Sequence, residues 1–472
     1  MEEHHLLNIS VVDGRYKEKT QEMNQYFSEF AFIRYRVLVE IEYLIALSKI
    51  DVIDKLNDEE LLYLKNIYKN FKLEDAIKVK EFEKETNHDV KSIEYFLKEK
   101  IDEMKSLEDK GASIFVHFCL TSQDVNSVAN TIMLKNAIQR VLLPRINKIL
   151  LILKEKIQLW SNEPLLSHTH GQPASPTFVG KELLVFYERM VKQARTLNDF
   201  KYYTKFGGAV GNFNAHHFSL PHVDWIDFAD KFINMLGLER NQYTTQVDHY
   251  DNYVSVLDNV KRINNIFVDM CQDMWLYISK NIFVKKNDEK TVGSSTMPHK
   301  INPILWENSE VNLRLSNCNI NFISTELPVS RLQRDLKDSS LLRNVGYMLS
   351  LSLLSYINIE KALKSLEINK EEISHLLHIN SPILSEPIQS RLKILGYTQS
   401  YQDLHKLFLD TLEQQKKQNN VSNDEDKNPQ ALLSKLFHNN LIQFINKLDI
   451  EENEKKYLKT VTPHNYTGIY KL

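Results

Sequence analysis

The stretch VSVLDNVKRINNIFVDMCQDMW, Val254–Trp275, predicts the fold more directly than any other part of the sequence. Its apolar residues recur at steps of three and four, which is the spacing of one face of an α-helix. These residues are Val256, Val260, Ile263, Phe267, Met270 and Met274. The surrounding segment 238–292 contains neither glycine nor proline, so we expect a buried helix longer than the average of ~11–12 residues.

Other segments show the same helical spacing. One apolar stripe consists of Ile146, Ile149, Leu150, Leu153, Ile157 and Trp160, and another of Val311, Leu315, Cys318 and Phe322. The apolar segment Phe27–Ser48 also predicts a buried helix. Several long helices of this kind favour a helical bundle. Periodicity alone leaves open whether their apolar faces pack within one chain or against another subunit.

The composition agrees with an all-α fold. The 472 residues include only 12 glycines and 12 prolines, too few for the many turns of an all-β sandwich or a doubly wound sheet. The length exceeds the ~250–300 residues at which one core usually stops growing, so two or three packed segments are expected. Lys and Arg total 59 against 62 for Asp and Glu, and this balance gives no indication of nucleic acid as a partner.

Cysteine usage and the apolar runs indicate where the protein acts. Cys119, Cys271 and Cys318 are far apart and form no CxxC pair, so neither a disulfide framework nor a zinc site is indicated. We expect all three to be buried, in a reducing compartment. The first residues do not resemble a secretory signal, and the apolar runs are shorter than the ~20 residues that span a bilayer. The sequence therefore predicts a soluble, cytoplasmic protein that does not act at a membrane.

Two polar runs have unusual composition. Gln414–Gln430, QQKKQNNVSNDEDKNPQ, is nearly free of apolar residues and predicts a solvated or disordered loop. FGGAVGNFNAHH, residues 206–217, gathers Gly207, Gly208 and Gly211 within five positions. Glycine permits positive φ and close backbone approach, so this run predicts either a loop that presents amides to a ligand or an ordinary tight connection.

Histidines are concentrated in SHTHGQPASP, residues 167–176. In an extended segment His168 and His170 point to opposite faces, which argues against a shared metal ion. One imidazole can then face a cleft and serve as a general acid, because both of its protonation states are populated near neutral pH. Taken alone, the run is equally typical of a structural histidine.

The run GSSTMPHKINPILWEN, residues 293–308, is the strongest candidate for chemistry. Gly293, Pro298 and Pro303 interrupt helix around a group of serine, threonine, histidine, lysine and asparagine side chains, so we expect a polar loop between two long helices. No phosphate-binding GxxxxGK[ST] motif and no GxSxG elbow is present, which argues against a nucleotide hydrolase and an esterase.

These runs resemble motifs of the bacterial-type adenylosuccinate lyases in the fumarase/aspartase superfamily. GSSTMPHKINP resembles the superfamily's signature loop, commonly GSSxMPxKxNP, and its histidine after Met-Pro is typical of adenylosuccinate lyases. The resemblance is strong from about residue 10 to 350 and looser beyond. It also includes SVVDGRY from Ser10, TNHDVKSIEYFLKEK from Thr86, HFCLTSQDVN from His117, YTTQ from Tyr243 and LPVSRLQRDLKDSSLLRN from Leu327.

The resemblance implies a three-domain, all-helical subunit with a central bundle of long helices. The expected domains are residues 1–111, 112–364, which carries the signature loop, and 365–472. It also implies a homotetramer in which each active site draws segments from three subunits. Such an assembly would cover the wide apolar stripes.

The implied reaction is β-elimination of fumarate from adenylosuccinate, which leaves AMP, and from SAICAR, which leaves AICAR. Ser294 resembles the family's general base and His170 its general acid, and the chemistry needs no metal or other cofactor. Polar and charged residues in the matching motifs are expected to bind the substrate: Arg15, Tyr16, Asn87, His88, Asp89, Thr121, Ser122, Gln246, Ser295, Lys300, Asn302, Asn308, Arg334, Ser339 and Arg343.

Two alternatives remain open at the level of sequence. Another lyase of the superfamily, such as argininosuccinate lyase, would act on a different succinyl compound, but the nucleotide-contacting set that begins at Arg15 and Tyr16 argues against it. A noncatalytic helical scaffold would keep the fold and lose the reaction. The presence of both His170 and Ser294 argues against that scaffold.

Overall fold

The computed structural model describes residues 7–286, 297, 301–421 and 428–472. Helices account for most of these residues, and their strands pair into three two-stranded sheets. The expected all-α class is confirmed. No helix in the described ranges is both long and apolar enough to cross a bilayer.

The helices of the described residues have the following bounds in chain order: α1 Lys17–Thr20, α2 Asn24–Phe27, α3 Glu29–Leu47, α4 Asp58–Lys69, α5 Leu73–Thr86, α6 Asp89–Asp102, α7 Lys105–Asp109, α8 Ser122–Ala137, α9 Leu143–Leu159, α10 Val179–Asn198, α11 Asn214–Ser219, α12 Trp225–Met235, α13 Asp251–Ser279, α14 Ile304–Glu326, α15 Lys337–Leu342, α16 Val345–Lys364, α17 Lys370–His378, α18 Ser385–Ile394, α19 Ser400–Val421, α20 Pro429–Lys447 and α21 Glu452–Lys459.

The strands form local pairs rather than a core sheet. β1 (Pro164–Thr169) and β2 (Gln172–Phe178) make an antiparallel hairpin in which Pro164 pairs with Phe178. β3 (Tyr203–Thr204) runs parallel to β4 (Glu239–Arg240). β5 (Phe283–Lys285) and β6 (Leu366–Ile368) are antiparallel.

The chain divides into two compact units. The first contains the described residues of Met1–Ile149, Met190–Cys271 and Glu307–Glu360, and the second those of Leu150–Arg189, Gln272–Trp306 and Lys361–Leu472. The three-domain division inferred from the resemblance stays a prediction.

Long helices build the core of the first unit as the sequence predicts. The expected buried helix at 27–48 is α3, which begins where the Ser28 Oγ accepts a hydrogen bond from the Ala31 amide at 3.1 Å. The stripe on α13 is buried, with Val256, Ile263 and Phe267 all 0% exposed. The stripe that runs along α9 to Trp160 just beyond it is buried as well, and its residues from Leu150 onward belong to the second unit.

A polar cluster lies inside this helical core. Asn264 on α13 donates from Nδ2 to the Ser352 Oγ of α16 at 2.9 Å, and its Oδ1 accepts from the Tyr356 hydroxyl at 2.6 Å. The Ser316 Oγ of α14 lies 2.9 Å from the Ser352 Oγ. Because a buried polar group without a partner is costly, these bonds favour one register of the three helices.

The stripe predicted on α14 faces outward, and this settles for one helix the direction that periodicity left open. Val311, Leu315 and Phe322 are 51%, 47% and 59% exposed, while Leu313 and Ile320 between them are buried. Both faces of this helix are therefore apolar. One face packs within the first unit, and the other is exposed.

Two expectations are wrong in part. Cys271 is buried and Cys119 is half-buried, but Cys318 is exposed because it lies on the outward face of α14. The polar run from Gln414 was expected to form a loop, yet helix α19 continues to Val421. A solvated helix needs no apolar face on every turn, so low hydrophobicity does not exclude it. Residues 422–427 of that run lie outside the described ranges.

The C-terminal part of the second unit has a core of its own. Leu384 and Ile388 precede α19, and they pack in one buried cluster with Leu404, Phe437 and Leu441. The Lys156 Nζ donates to the backbone carbonyl of Leu366 at 2.6 Å. This bond joins α9 to β6, the strand that precedes α17, within the second unit.

Candidate active site

His170 occupies the turn of the β1–β2 hairpin, so the expected extended conformation is confirmed for His168 on β1 but is wrong for His170. His170 has φ +54° and Gly171 has φ +74°, and a two-residue turn with positive φ at both positions fits the twist of a hairpin. The His170 side chain is exposed. His168, on β1, is half-buried, and its burial together with Lys280 lowers its pKa.

The proposed partner residues of the signature loop are not all described. Ser294, Ser295 and Lys300 lie outside the described residues, so the pairing of His170 with Ser294 stays a prediction. Asn302 lies in the second unit and is exposed just before α14.

The NHD motif lies at the junction of α5 and α6 in the first unit. Asn87 adopts φ +52° and ends α5, and His88 is the N-cap of α6. The His88 Nδ1 accepts a hydrogen bond from the Lys91 amide at 3.1 Å. With Nδ1 occupied as an acceptor, the Nε2 of the exposed imidazole is the ring atom that can donate to a ligand.

Asp89 joins two arginines. Its Oδ2 accepts from the Arg36 Nη2 at 2.6 Å and from the Arg343 Nη2 at 3.3 Å. Burial alone would raise the pKa of Asp89, but the two guanidinium groups outweigh burial and lower it. The Arg343 Nη1 also donates to the Ser339 Oγ at 2.8 Å. The structure thus brings together three of the predicted substrate-binding residues.

A cavity of about 200 Å³ lies beside this group. Its walls include Arg36, Gln123, Asn130, Ser339 and Arg343. Arg36 is 1% exposed and Gln123 is 2% exposed, and neither was predicted from the sequence as a site residue. Arg36 lies within an apolar helix, and its role becomes evident only from its contact with Asp89.

Arg334 and Gln246 lie on adjoining segments. The Gln246 amide donates to the backbone carbonyl of Gln333 at 3.1 Å, and the Gln246 Nε2 donates to the carbonyl of Ala209 at 2.9 Å. The Arg334 Nη1 lies 3.3 Å from both carboxylate oxygens of Asp338. Gln246 is therefore linked to the glycine-rich run, and Arg334 is tethered to α15.

Tyr16 and Asn308 form a separate pair. The Asn308 Nδ2 donates to the Tyr16 hydroxyl at 3.2 Å, and its Oδ1 accepts from Asn358 at 2.8 Å. Arg15 is exposed, with its guanidinium 5.8 Å from the Tyr16 ring centre. These residues can contact a ligand, but no hydrogen bond in the described part of the chain joins them to Asp89 or Arg334.

Thr121 and Ser122 begin α8, and a buried ion pair supports them. The Thr121 amide donates to the Asp124 Oδ2 at 2.9 Å, while the Asp124 Oδ1 accepts from the Lys205 Nζ at 2.7 Å. Both charged side chains are 0% exposed. Burial alone would raise the pKa of Asp124, but Lys205 outweighs it, so the carboxyl stays ionised.

The glycine-rich run folds over this ion pair. The amides of Gly207 and Gly208 donate to the Asp124 Oδ1 at 2.8 and 3.1 Å, so of the two alternatives that the sequence left open, these amides favour the tight connection over the loop that presents amides to a ligand. Gly211 has φ +81°, and a Cβ there would overlap the carbonyl oxygen of Thr244. The expectation of a close backbone approach is confirmed.

Two further histidines lie near these motifs, in different environments. The His117 Nδ1 is 2.5 Å from the Glu40 Oε1, and the carboxylate raises the pKa of His117 in spite of its burial. His216 is 0% exposed, and burial lowers its pKa to about 4, so it stays neutral at physiological pH. The sequence could have identified His117 as a site residue, because it lies in the same motif as Thr121, four positions before it. No three His, Cys, Asp or Glu side chains within the described ranges could hold a metal ion together.

Comparison with known proteins identifies the relatives of this chain. The family model described as "Lyase" matches residues 14–319, and the one described as "Adenylosuccinate lyase C-terminal" matches residues 330–437. The adenylosuccinate lyase of Dictyostelium discoideum is 43% identical over 472 residues, which cover 98% of this chain and 97% of that protein. The adenylosuccinate lyase of Escherichia coli strain K12 is 39% identical over 471 residues, which cover 99% of this chain and 98% of that protein.

Solved structures share the fold. The beta-carboxy-cis,cis-muconate cycloisomerase from Acinetobacter calcoaceticus sp. ADP1 matches with a TM-score of 0.72 at 14% identity, covering 95% of both chains. The fumarate lyase from Mesorhizobium sp. BNC1 matches with a TM-score of 0.71 at 14% identity, again over 95% of both chains. At this level of identity the likeness concerns the architecture alone.

Proposed function

Because the chain belongs to the adenylosuccinate lyase family, we propose that it releases fumarate from adenylosuccinate and from SAICAR, with Ser294 as general base and His170 as general acid. The products that remain are AMP and AICAR. No oxidation or reduction occurs, because one C–N bond breaks and one C=C bond forms.

The proposed reaction is a β-elimination with two proton transfers. Ser294 removes a proton from the succinyl carbon next to a carboxylate, and that carboxylate stabilises the carbanion as an aci-carboxylate. The electron pair then forms the double bond of fumarate as the C–N bond breaks, and His170 gives a proton to the departing nitrogen. A serine hydroxyl needs help to act as a base, and Lys300 is the proposed cation that stabilises its alkoxide.

One observation carries the substrate assignment. In the first unit Arg334 pairs with Asp338, and Arg343 pairs with Asp89 and donates to the adjacent Ser339; the two arginine side chains are 27% and 41% exposed although each contacts a carboxylate. An arginine held in this way keeps further N–H groups for a phosphate or carboxylate oxygen. Adenylosuccinate carries a phosphate and two carboxylates, so it matches a site with several ordered cations.

A turnover assay tests the proposal. We expect the ultraviolet absorbance to change when the protein is mixed with adenylosuccinate, in the absence of added metal or nicotinamide, and to stay constant with argininosuccinate. The reverse pattern would identify another lyase of the superfamily. A constant signal with both compounds would support the noncatalytic scaffold.

We further propose that four copies of the chain associate through the outward face of α14. This face is defined by Val311, Leu315, Cys318 and Phe322, whose steps of four, three and four residues place them on one side of the helix. Burial of each large apolar side chain contributes about 1.5–3 kcal/mol, which gives the face a strong tendency to be covered. The homotetramer implied by the resemblance would cover it with neighbouring subunits.

Charge on this face is expected to prevent assembly. The double substitution Leu315→Lys and Phe322→Lys would force two ammonium groups into an apolar contact, at a cost of several kcal/mol. Size-exclusion chromatography with light scattering should then show a species smaller than the tetramer. Asn234→Lys, which adds a charge at an exposed position of α12, outside this face, is the control and should assemble normally. A tetramer of unchanged mass in the double variant would place the interface elsewhere.

A further inference from the structure

We propose that Tyr250 is a positioning residue that acts through Asp338 to hold Arg334 in place for the anionic part of the nucleotide. The inference rests on the proposed function, since it concerns how that nucleotide is bound. It adds to the site a residue that lies outside the matched motifs.

The backbone alone does not fix the Arg334 side chain. Arg334 precedes α15, and its amide donates to the carbonyl of Arg331 in a turn at 3.2 Å. Leu332, within this turn, has φ +48° and is 88% exposed. A long flexible side chain on such a turn loses much rotamer freedom when it binds a ligand, unless another group orders it beforehand.

Asp338 orders Arg334 loosely. Asp338 is 6% exposed, and the Arg334 Nη1 is shared between its two carboxylate oxygens at 3.3 Å each. Within the described part of the chain, the Arg334 Nε and Nη2 form no hydrogen bond. These N–H groups can therefore donate hydrogen bonds to a phosphate or carboxylate while Nη1 remains hydrogen-bonded to Asp338.

Tyr250 fixes Asp338 from its buried side. The Tyr250 hydroxyl donates to the Asp338 Oδ2 at 3.0 Å, and Tyr250 is 3% exposed. Burial and the nearby Asp338 raise the pKa of Tyr250, so the hydroxyl keeps its proton and remains a donor. Without this bond, the carboxylate is free to turn and form a closer pair with Arg334, which would withdraw the guanidinium from the ligand.

The backbone of Tyr250 supports this reading. Its φ of +59° is unusual for a bulky residue and costs energy, so the surrounding structure must hold it. The Tyr250 amide donates to the Asp248 Oδ1 at 3.3 Å. Arg343 has a similar arrangement, because its partner Asp89 is held from the buried side by Arg36 at 2.6 Å. For each of the two arginines, the carboxylate that pairs with it thus accepts a second hydrogen bond from a buried side chain.

Tyr250→Phe tests the inference, because it removes only the hydroxyl. We expect the Kd of AMP, measured by calorimetry, and the KM of adenylosuccinate to rise at least about fivefold, as for loss of a hydrogen bond to a charged group. We expect kcat to change by less than about twofold, because Tyr250 does not touch the reacting atoms. Tyr253→Phe is the matched control, since this tyrosine lies three positions further on, in the first turn of α13, and its buried hydroxyl forms no hydrogen bond within the described residues.

A double-mutant cycle separates tethering from a general structural effect. If Tyr250 acts through Arg334, Tyr250→Phe should weaken AMP binding in the wild type but have almost no further effect in an Arg334→Ala background. Additive losses, or an unchanged Kd in Tyr250→Phe, would overturn the inference and leave the proposed reaction intact. A wild type that binds AMP and shows this coupling, but does not turn over adenylosuccinate, would instead overturn the proposed reaction alone.

Discussion

Replacement of His170 by alanine is expected to lower kcat for adenylosuccinate at least ~10²-fold, which is the scale for loss of a general acid. The exposed position of His170 at a hairpin turn means that no buried contact is lost, so the fold should remain intact. Ser294→Ala should cause a comparable loss through removal of the general base. Stopped-flow or steady-state assays give kcat, and circular dichroism monitors the fold.

His168 provides the matched control for this prediction. It lies two positions away in the same hairpin. Burial and Lys280 lower its pKa below the ordinary histidine value, so a smaller share of His168 is protonated at neutral pH than of a free imidazole. We therefore expect His168→Ala to retain far more activity than His170→Ala. Near-normal kcat in the His170 variant, or a larger loss of kcat in the His168 variant, would show that His170 is not the general acid.

Helix positions were predictable because the apolar periodicity is a local property of the sequence. The stripe on α13 predicted a buried helix that the structure confirms over Asp251–Ser279. On α14 the same signal identified a helix but not the direction of its apolar face, since spacing is identical for a contact within the chain and one with a partner. The helical end of α19 was missed because a solvated helix lacks a distinctive apolar pattern.

The site was predictable only as a set of motifs. Resemblance identified Asp89, Arg334 and Arg343 from their sequence context, but it could not say which groups hold them. Arg36 lies on another helix, and Tyr250 is far from Asp338 along the chain, so no local pattern links these partners. Buried charges depend on three-dimensional proximity, which composition and spacing do not report.

Lys205→Met is expected to cause the largest loss of stability. Removal of one partner from a buried ion pair typically costs about 3–5 kcal/mol, because the remaining charge has no counter-ion. Asp124 would keep its hydrogen bonds from Thr121 and from the Gly207 and Gly208 amides, but no cation would balance it. The same lysine donates to the Gly208 carbonyl at 2.7 Å, so the glycine-rich run would loosen too. Denaturant unfolding should show a clearly lower midpoint.

The pH dependence distinguishes an unpaired charge from a simple packing defect. In the wild type the pKa of Asp124 is lowered, so its stabilisation is present above the unfolded value of ~3.9 and is lost only as the pH falls through the folded pKa. Without Lys205, burial raises the pKa of Asp124. Protonation of this carboxylate as the pH falls then removes the unpaired buried charge and reduces the loss of stability in the variant. The difference in stability between wild type and variant should therefore narrow toward acid pH, whereas a packing defect would keep it constant.

Two further variants complete this test. Lys231→Met breaks the surface ion pair with Asp227, in which the lysine side chain is 76% exposed and the aspartate side chain 55%. It should leave the unfolding midpoint almost unchanged, because solvent already screens both charges. Addition of Asp124→Asn to Lys205→Met should recover part of the lost stability, since a neutral amide oxygen can still accept from the glycine amides. A double variant no more stable than Lys205→Met would mean that the lysine acts through packing and its bond to Gly208, not through the carboxylate.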